Sequence, residues 1–167
     1  MALKWNNPRQ LDDDFARFQA AYDKAAIDEM IRIGEELVKV ARLDKNVAKL
    51  YTDRTANLRN SIGYIVIHNG EVIISSFDGN TPPDTRYADK ADAAMAHAKG
   101  LDYAMQVSRQ LDKNKTYLVL VAGMEYAVYV EGKGFGVLSG ADVELTSRAG
   151  EFMEEFKRHI TYLMNQQ

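Results

Sequence analysis

Apolar residues recur at spacings of three and four from Phe15 through Phe18, Tyr22, Ala26, Met30, Ile33 and Leu37 to Val40. That period matches the α-helical turn and predicts one long amphipathic helix. Leu11, Ile27, Ile31 and Val38 widen its apolar stripe. A helix apolar on more than one side is expected to pack against two neighbours, one of which could be another subunit. Pro8 and the cluster Asp12-Asp13-Asp14 mark its entry, since acidic side chains suit the positive end of the helix dipole. Gly34 is a weak point that need not break it. Val47 and Leu50 carry the pattern towards Tyr51.

The polar stretch Thr52–Ile62 then ends the helix and opens a β-hairpin. Ile62, Tyr64 and Val66, followed by Val72 and Ile74, suit a pleated sheet, and Asn69-Gly70 between them is a strong hairpin-turn signal. Residues 78–85, Asp-Gly-Asn-Thr-Pro-Pro-Asp-Thr, read as a loop. Residues 86–112 read as a second helix, with Ala91, Ala94, Met95, Ala98, Leu101 and Met105 forming one Ala-rich stripe that a partner could approach closely. Gly100 sits inside it and weakens it modestly.

The run Thr116–Ala122 fits a central strand buried on both faces. Met124–Glu131 suits one or two helical turns, and the glycines at 132, 134, 136 and 140 flank a short strand around Phe135–Leu138. Ser139 with Asp142 resembles a capping box. It opens a closing helix with Ala149, Phe152, Met153, Phe156, Ile160, Leu163 and Met164 on one face and Arg148, Glu151, Glu154, Glu155 and Arg158 on the other. The expected architecture is α+β: a long N-terminal helix, a small and mainly antiparallel sheet with a β-hairpin, an inserted helix, and a C-terminal amphipathic helix packed on the sheet. No linker or repeat divides it, so residues 1–167 form one domain with a helical insertion at about 78–113.

Composition narrows the function. With 21 Lys and Arg against 24 Asp and Glu, the net charge is −3. That argues against the basic footprint of a tight non-specific nucleic-acid binder. DNA passing a mildly acidic wall would not stick to it. The absence of cysteine removes disulfides, thiolate nucleophiles and thiolate metal sites together. No apolar run approaches the roughly 18 residues of a membrane span. Met1–Pro8 has no apolar signal core, so the protein is expected to remain in the cytosol or to be assembled there.

Catalytic patterns are weak. His68, His97 and His159 stand alone, without metal-ligand spacing. His68, just before the hairpin turn, is expected to be exposed. Gly132-Lys133-Gly134-Phe135-Gly136 lacks the Ser or Thr after lysine and the following helix that a phosphate loop needs. Ser61 has no activating partner in its neighbourhood of the sequence. Glu131 reads as a helix-end residue or an inter-subunit ion-pair partner. Arg54 and Arg59 flank a turn that Thr55 or Asn57 would tie by side-chain hydrogen bonds while Leu58 plugs the core. The arginines are either solvated or contacts for a neighbouring subunit or a DNA phosphate. Neither an enzyme nor a cofactor is expected.

Two segments carry a resemblance. Asp53-Arg54-Thr55-Ala56-Asn57-Leu58-Arg59-Asn60-Ser61-Ile62 is similar to the helix-ending turn of the bacteriophage tail-completion (minor tail, head–tail joining) proteins, and Tyr126-Ala127-Val128-Tyr129-Val130-Glu131-Gly132 resembles their second signature. Order and flanking elements agree over nearly the whole chain. Arg54 is inserted relative to the pattern, and Ala56 stands where the family often has glycine, a residue that tolerates positive φ better. The resemblance implies a structural virion protein of a tailed phage or prophage, assembled in the host cytoplasm. It would be a ring component joining neck and tail, commonly in six copies. Its partners would be copies of itself and other neck and tail proteins, with DNA only passing through the channel and no membrane. Arg54, Thr55, Asn57, Arg59, Tyr126, Tyr129 and Glu131 are the candidate interface residues. A small nucleic-acid-binding or regulatory module, and an enzyme whose site forms from distant residues, are the alternatives.

Overall fold

In the computed structural model the described residues are 8–43 and 52–166. Val47, Leu50 and Tyr51, expected to extend the first helix, lie outside them. Helix α1 spans Pro8–Leu43. Its 36 residues reach about 54 Å at ~1.5 Å per residue. The turn Asn57–Asn60 is a single helical turn, α2. Strands β1 (Ile62–His68) and β2 (Glu71–Ser76) form the predicted hairpin. Asn69 and Gly70 both take positive φ, 51° and 82°, as a tight hairpin turn of this kind demands. A 3₁₀ segment, Thr85–Lys90, leads to α3, Ala93–Ser108. Then follow β3 (Thr116–Ala122), the short α4 (Ala127–Gly132) and α5 (Ser139–Asn165).

The architecture is α+β, and the sheet is antiparallel throughout with strand order β2-β1-β3. One face of the sheet presents Tyr64 and Val66 to Val38 of α1, with Met30, Ile31, Ile74, Leu118 and Leu120 packed around them. The other presents Ile65 and Ile67 to Ala104 of α3, beside Val119 and Val121. α5 enters the first of these layers through Ala141, which joins Leu37, Ala41, Leu58, Ile62 and Val137. The rest of α5 runs antiparallel to α1: Arg148 pairs with Glu36 at 2.8 Å, Arg32 pairs with Glu155, and His159 approaches Asp28 at 3.7 Å.

Several expectations are corrected. Thr116–Ala122 is an edge strand, and the strand buried on both faces is β1. Both segments are apolar runs with helices on both faces, so hydropathy could not rank them; the strand order, which sets β1 between β2 and β3, does. Residues 86–112 are not one helix. The chain is extended at Ala91 and Asp92, and the Asp92 carboxylate caps α3 by accepting the Met95 N–H at 2.8 Å. α3 buries Ala96, Gly100 and Ala104 and exposes Ala94, Ala98 and Leu101. The helix turns its smallest side chains to the sheet because its backbone approaches β1 and β3 closely.

Phe135–Leu138 forms no strand. Ser139 does not cap α5; the residue before the helix is Leu138, without a side-chain cap. His68 is mostly buried, with its Nδ1 2.8 Å from Thr116 Oγ1. On α5, Arg148 and Glu155 face α1 instead of lying opposite the packed stripe. At the other end of α1, Leu11, Phe15, Phe18 and Tyr22 are exposed.

Candidate functional site at the joint of two segments

The two signature segments meet. Ser61, fully buried, receives the Gly123 N–H on its backbone carbonyl at 3.2 Å and on its hydroxyl at 3.1 Å, and its own hydroxyl donates to the Leu58 carbonyl at 2.7 Å. Leu58 and Ile62 pack with Met124 and Ala127 in one buried cluster. Burial first, and then the charge of Asp53, push the Tyr126 phenol's pKa up, while hydrogen bonding with Thr55 pulls it down. Tyr126 therefore shares one site with Asp53 and Thr55, which lie far from it in the chain.

The turn itself is fully tied. Ala56 takes a left-handed conformation, φ 58° and ψ 4°, although an Ala there costs roughly 1 kcal/mol more than Gly. Tight burial around it holds the conformation. The Asp53 carboxylate accepts the Arg59 N–H at 2.8 Å. Burial raises the Asp53 pKa more than the hydrogen bond from Arg59 and the Arg59 charge lower it.

Asn57 and Asn60 act as clamps on the segment that follows the hairpin. Asn57 donates to the Lys90 carbonyl at 3.1 Å and accepts from the Asp92 N–H at 2.8 Å. Asn60 donates to the Thr81 carbonyl at 3.1 Å and accepts from the Thr81 N–H at 2.7 Å. Both are buried, and a buried amide with both ends used avoids the cost of an unmet polar group. Residues 78–92 are thus stitched to the turn.

The remaining candidates sort by geometry. Arg54 is engaged within the chain: its guanidinium donates to the Tyr87 hydroxyl at 2.9 Å and lies 5.3 Å from that ring's centroid. Arg59 is half-buried. Tyr129 is 67% exposed, with the Lys133 ammonium 5.3 Å from its ring centroid.

Glu131 has an internal task that neither sequence reading foresaw. Its carboxylate accepts the N–H groups of Val137, Leu138 (3.0 Å) and Ser139 (3.2 Å). It caps α5 across the glycine loop, where a negative charge also meets the positive end of the helix dipole. Burial pushes its pKa up, but the hydrogen bonds from Leu138, Ser139 and Val137 outweigh this and hold it below the ordinary glutamate range. The depressed value gives a stabilisation that is present above the unfolded-state pKa and lost as pH falls through the folded-state one. Replacing Glu131 by Ala is expected to cost about 1–2 kcal/mol at pH 7, the scale of a lost helix cap. The deficit should shrink as the pH is lowered through the acid limb, which urea unfolding at pH 7 and at acid pH would show. An equal deficit at both would remove the capping role.

A cavity of about 700 Å³ opens between α1, α5 and the hairpin end of the sheet, with Tyr22, Met30, Phe152 and Phe156 among its apolar walls. At its polar end Thr116 Oγ1, His68 and Asp23 lie in the order of a hydroxyl–imidazole–carboxylate relay. The carboxylate, however, is 3.9 Å from Nε2, and the Asn69 amide is nearer, at 2.9 Å. The imidazole is held by Thr116 and Asn69, not oriented by an acid as a nucleophile's base would be. Among the described residues, no group of three or more His, Asp or Glu is placed to hold a metal ion. No helix among them is long and apolar enough to cross a membrane. No family model, curated protein or solved structure matches this chain.

Proposed function

We propose that this chain is a structural subunit that assembles with copies of itself into a ring, as a tail-completion or head–tail joining component of a tailed phage. The observation that carries the reading is the apolar stripe of α1 that runs past the end of α5. Leu11, Phe15 and Phe18 continue the seam beyond Tyr22, whose ring meets Phe156 of α5 edge-on with 5.3 Å between centroids, and Phe15 is 68% exposed. A row of large apolar side chains at helical spacing, exposed among the described residues, marks an interaction surface. The joint adds support. Both segments that resemble the family serve one structural purpose, the docking of the helix-ending turn against the Gly123–Gly132 stretch, so their occurrence in one chain has a physical basis.

The function in this reading is mechanical. The buried joint and the clamped loop make a rigid wedge, and different patches meet on successive copies, which is how closed rings form. The test is the solution mass by light scattering over a wide concentration range, with electron microscopy of the heaviest species. Closed rings of about six copies are expected from the resemblance. A mass that stays that of one chain at every concentration would overturn the ring.

A further inference from the structure

The two edges of the sheet differ in shape. β3 is recessed. Along its outer side runs a groove of about 740 Å³, walled by Tyr103 and Val107 of α3 on one side and by Val128, Leu138 and Asp142 on the other. β2 stands out: Glu71, Val72, Ile73 and Ser75 are exposed, with Ile73 at 45%.

The hydrogen-bond pattern defines which groups face the groove. Gly123 donates to the Ser61 carbonyl and Asn69 donates to the Lys115 carbonyl. In the β1–β3 register these are the inward-facing pairs, so Val121, Val119 and Tyr117 turn their backbone groups to β1. Leu118, Leu120 and Ala122 turn theirs outward, and among the described residues none of these N–H groups has a partner. Isolated edge strands are ordinarily guarded by charge, proline or a bulge. Thr116–Ala122 contains no charge and no proline, and its pairing with β1 is unbroken, whereas β2 begins on the charge of Glu71 and bulges at Ile73, so its edge needs a partner that accommodates both.

We propose that copies of this chain join edge to edge, the protruding β2 of one copy entering the groove along β3 of the next and extending its sheet. This rests on the reading of the chain as self-assembling, and it names the contact. β2 and β3 both run antiparallel to β1, so a neighbour placed by rotation about an axis along the strands adds β2 parallel to β3. Glu71 and Thr116 both sit opposite His68, so they are level across the sheet. In the joined pair Glu71 of one copy then lies beside Thr116 of the next, and Lys115, one position away and 3.8 Å from Asp112 in the single chain, reaches it only by its long side chain round the strand end. Both charged side chains are exposed in the single chain. Ile73 comes under the overhang of Tyr103 and Val107. The protruding edge and the recessed edge are different surfaces, so the contact is head-to-tail and propagates into a ring instead of closing as a pair.

The experiment compares the concentration dependence of sedimentation for the wild type, Glu71→Lys, Lys115→Glu, the double exchange and Ile73→Glu, with thermal unfolding as a check on each fold. Each charge reversal is expected to raise the concentration of half-assembly roughly tenfold by setting like charges together, and the double exchange should restore it. Ile73→Glu should leave single chains. Oligomers indifferent to all four changes, a double exchange weaker than either single one, or a dimer unaffected at Glu71 would overturn edge pairing while leaving a self-assembling chain. A wild type that never associates would overturn both.

Discussion

Gly123→Ala should cost more than about 3 kcal/mol, above the usual range for overpacking, because the obstacle is backbone. A Cβ at Gly123 would overlap the N and Cα of Gly100 and the carbonyl carbon of Lys99, none of which can swing aside. The φ of Gly123 is not positive, so conformational strain does not enter and the contact alone is tested. Relief would require α3 to leave the sheet, exposing Ala96 and Ala104, both wholly buried, and disturbing the Gly123 N–H bonds to Ser61. A domain's stability is about 5–15 kcal/mol, so the variant should lose much of it. Gly100→Ala meets the same crossing from the other side, with its Cβ 2.5 Å from the Ser61 carbonyl oxygen and 2.6 Å from the Phe77 ring. The two effects should not add, since either already displaces α3. Urea unfolding followed by circular dichroism measures this. A midpoint for Gly123→Ala close to the wild type would mean that the crossing is looser than described.

Phe152→Ala should cost about 3 kcal/mol, at the low end for a buried phenylalanine because its ring borders an open cavity into which water can move. The ring is buried against two guanidinium groups, with Arg32 at 5.2 Å and Arg148 at 4.8 Å from its centroid. Arg32 is bound by Glu29, Glu36 and Glu155, and Arg148 by Glu36, Glu144 and Glu151. The ring thus fills the seam between α1 and α5 and lies against two cations that carboxylates already hold in place. Phe152→Leu keeps most of the buried area and loses the stacking, so it should recover more than half of the loss. If leucine proved as damaging as alanine, the stacking would be the larger contribution. If alanine cost less than about 1 kcal/mol, the seam would not be a structural contact of this strength.

Much of the fold was legible along the chain. The helical period from Phe15 to Val40, the hairpin around Asn69-Gly70 and the closing helix all rest on local chemistry: a periodic stripe, a pair of residues that accept positive φ, an amphipathic tail. The candidate site was legible in part. Thr55 ties the turn by accepting the Asn57 N–H, and Leu58 is buried beneath it, as the polar-apolar pattern suggests, while the Asn57 side chain reaches out to Lys90 and Asp92 instead. Glu131 was visible as a helix-end residue, but the amides it caps lie beyond a loop of glycines, and nothing in their own residue types asks for a carboxylate.

What stayed hidden depends on which elements share a face. Thr116–Ala122 and Ile62–His68 are both apolar runs, and a strand becomes central only when neighbours pair with both of its edges. α3 was out of phase because alanines stand on more than one of its faces and Met95, Leu101 and Met105 pulled the expected stripe to theirs, while a helix that crosses a strand at backbone contact must turn Ala96, Gly100 and Ala104 inward. Arg148 and Glu155 look like a solvated face until α1 brings Glu36 and Arg32 against them. Periodicity and turn chemistry are properties of neighbouring residues, so they act before the chain has folded. Strand order, helix phase at a close crossing and the pairing of charges across a seam arise from residues tens of positions apart, and these take shape only when packing brings those residues together.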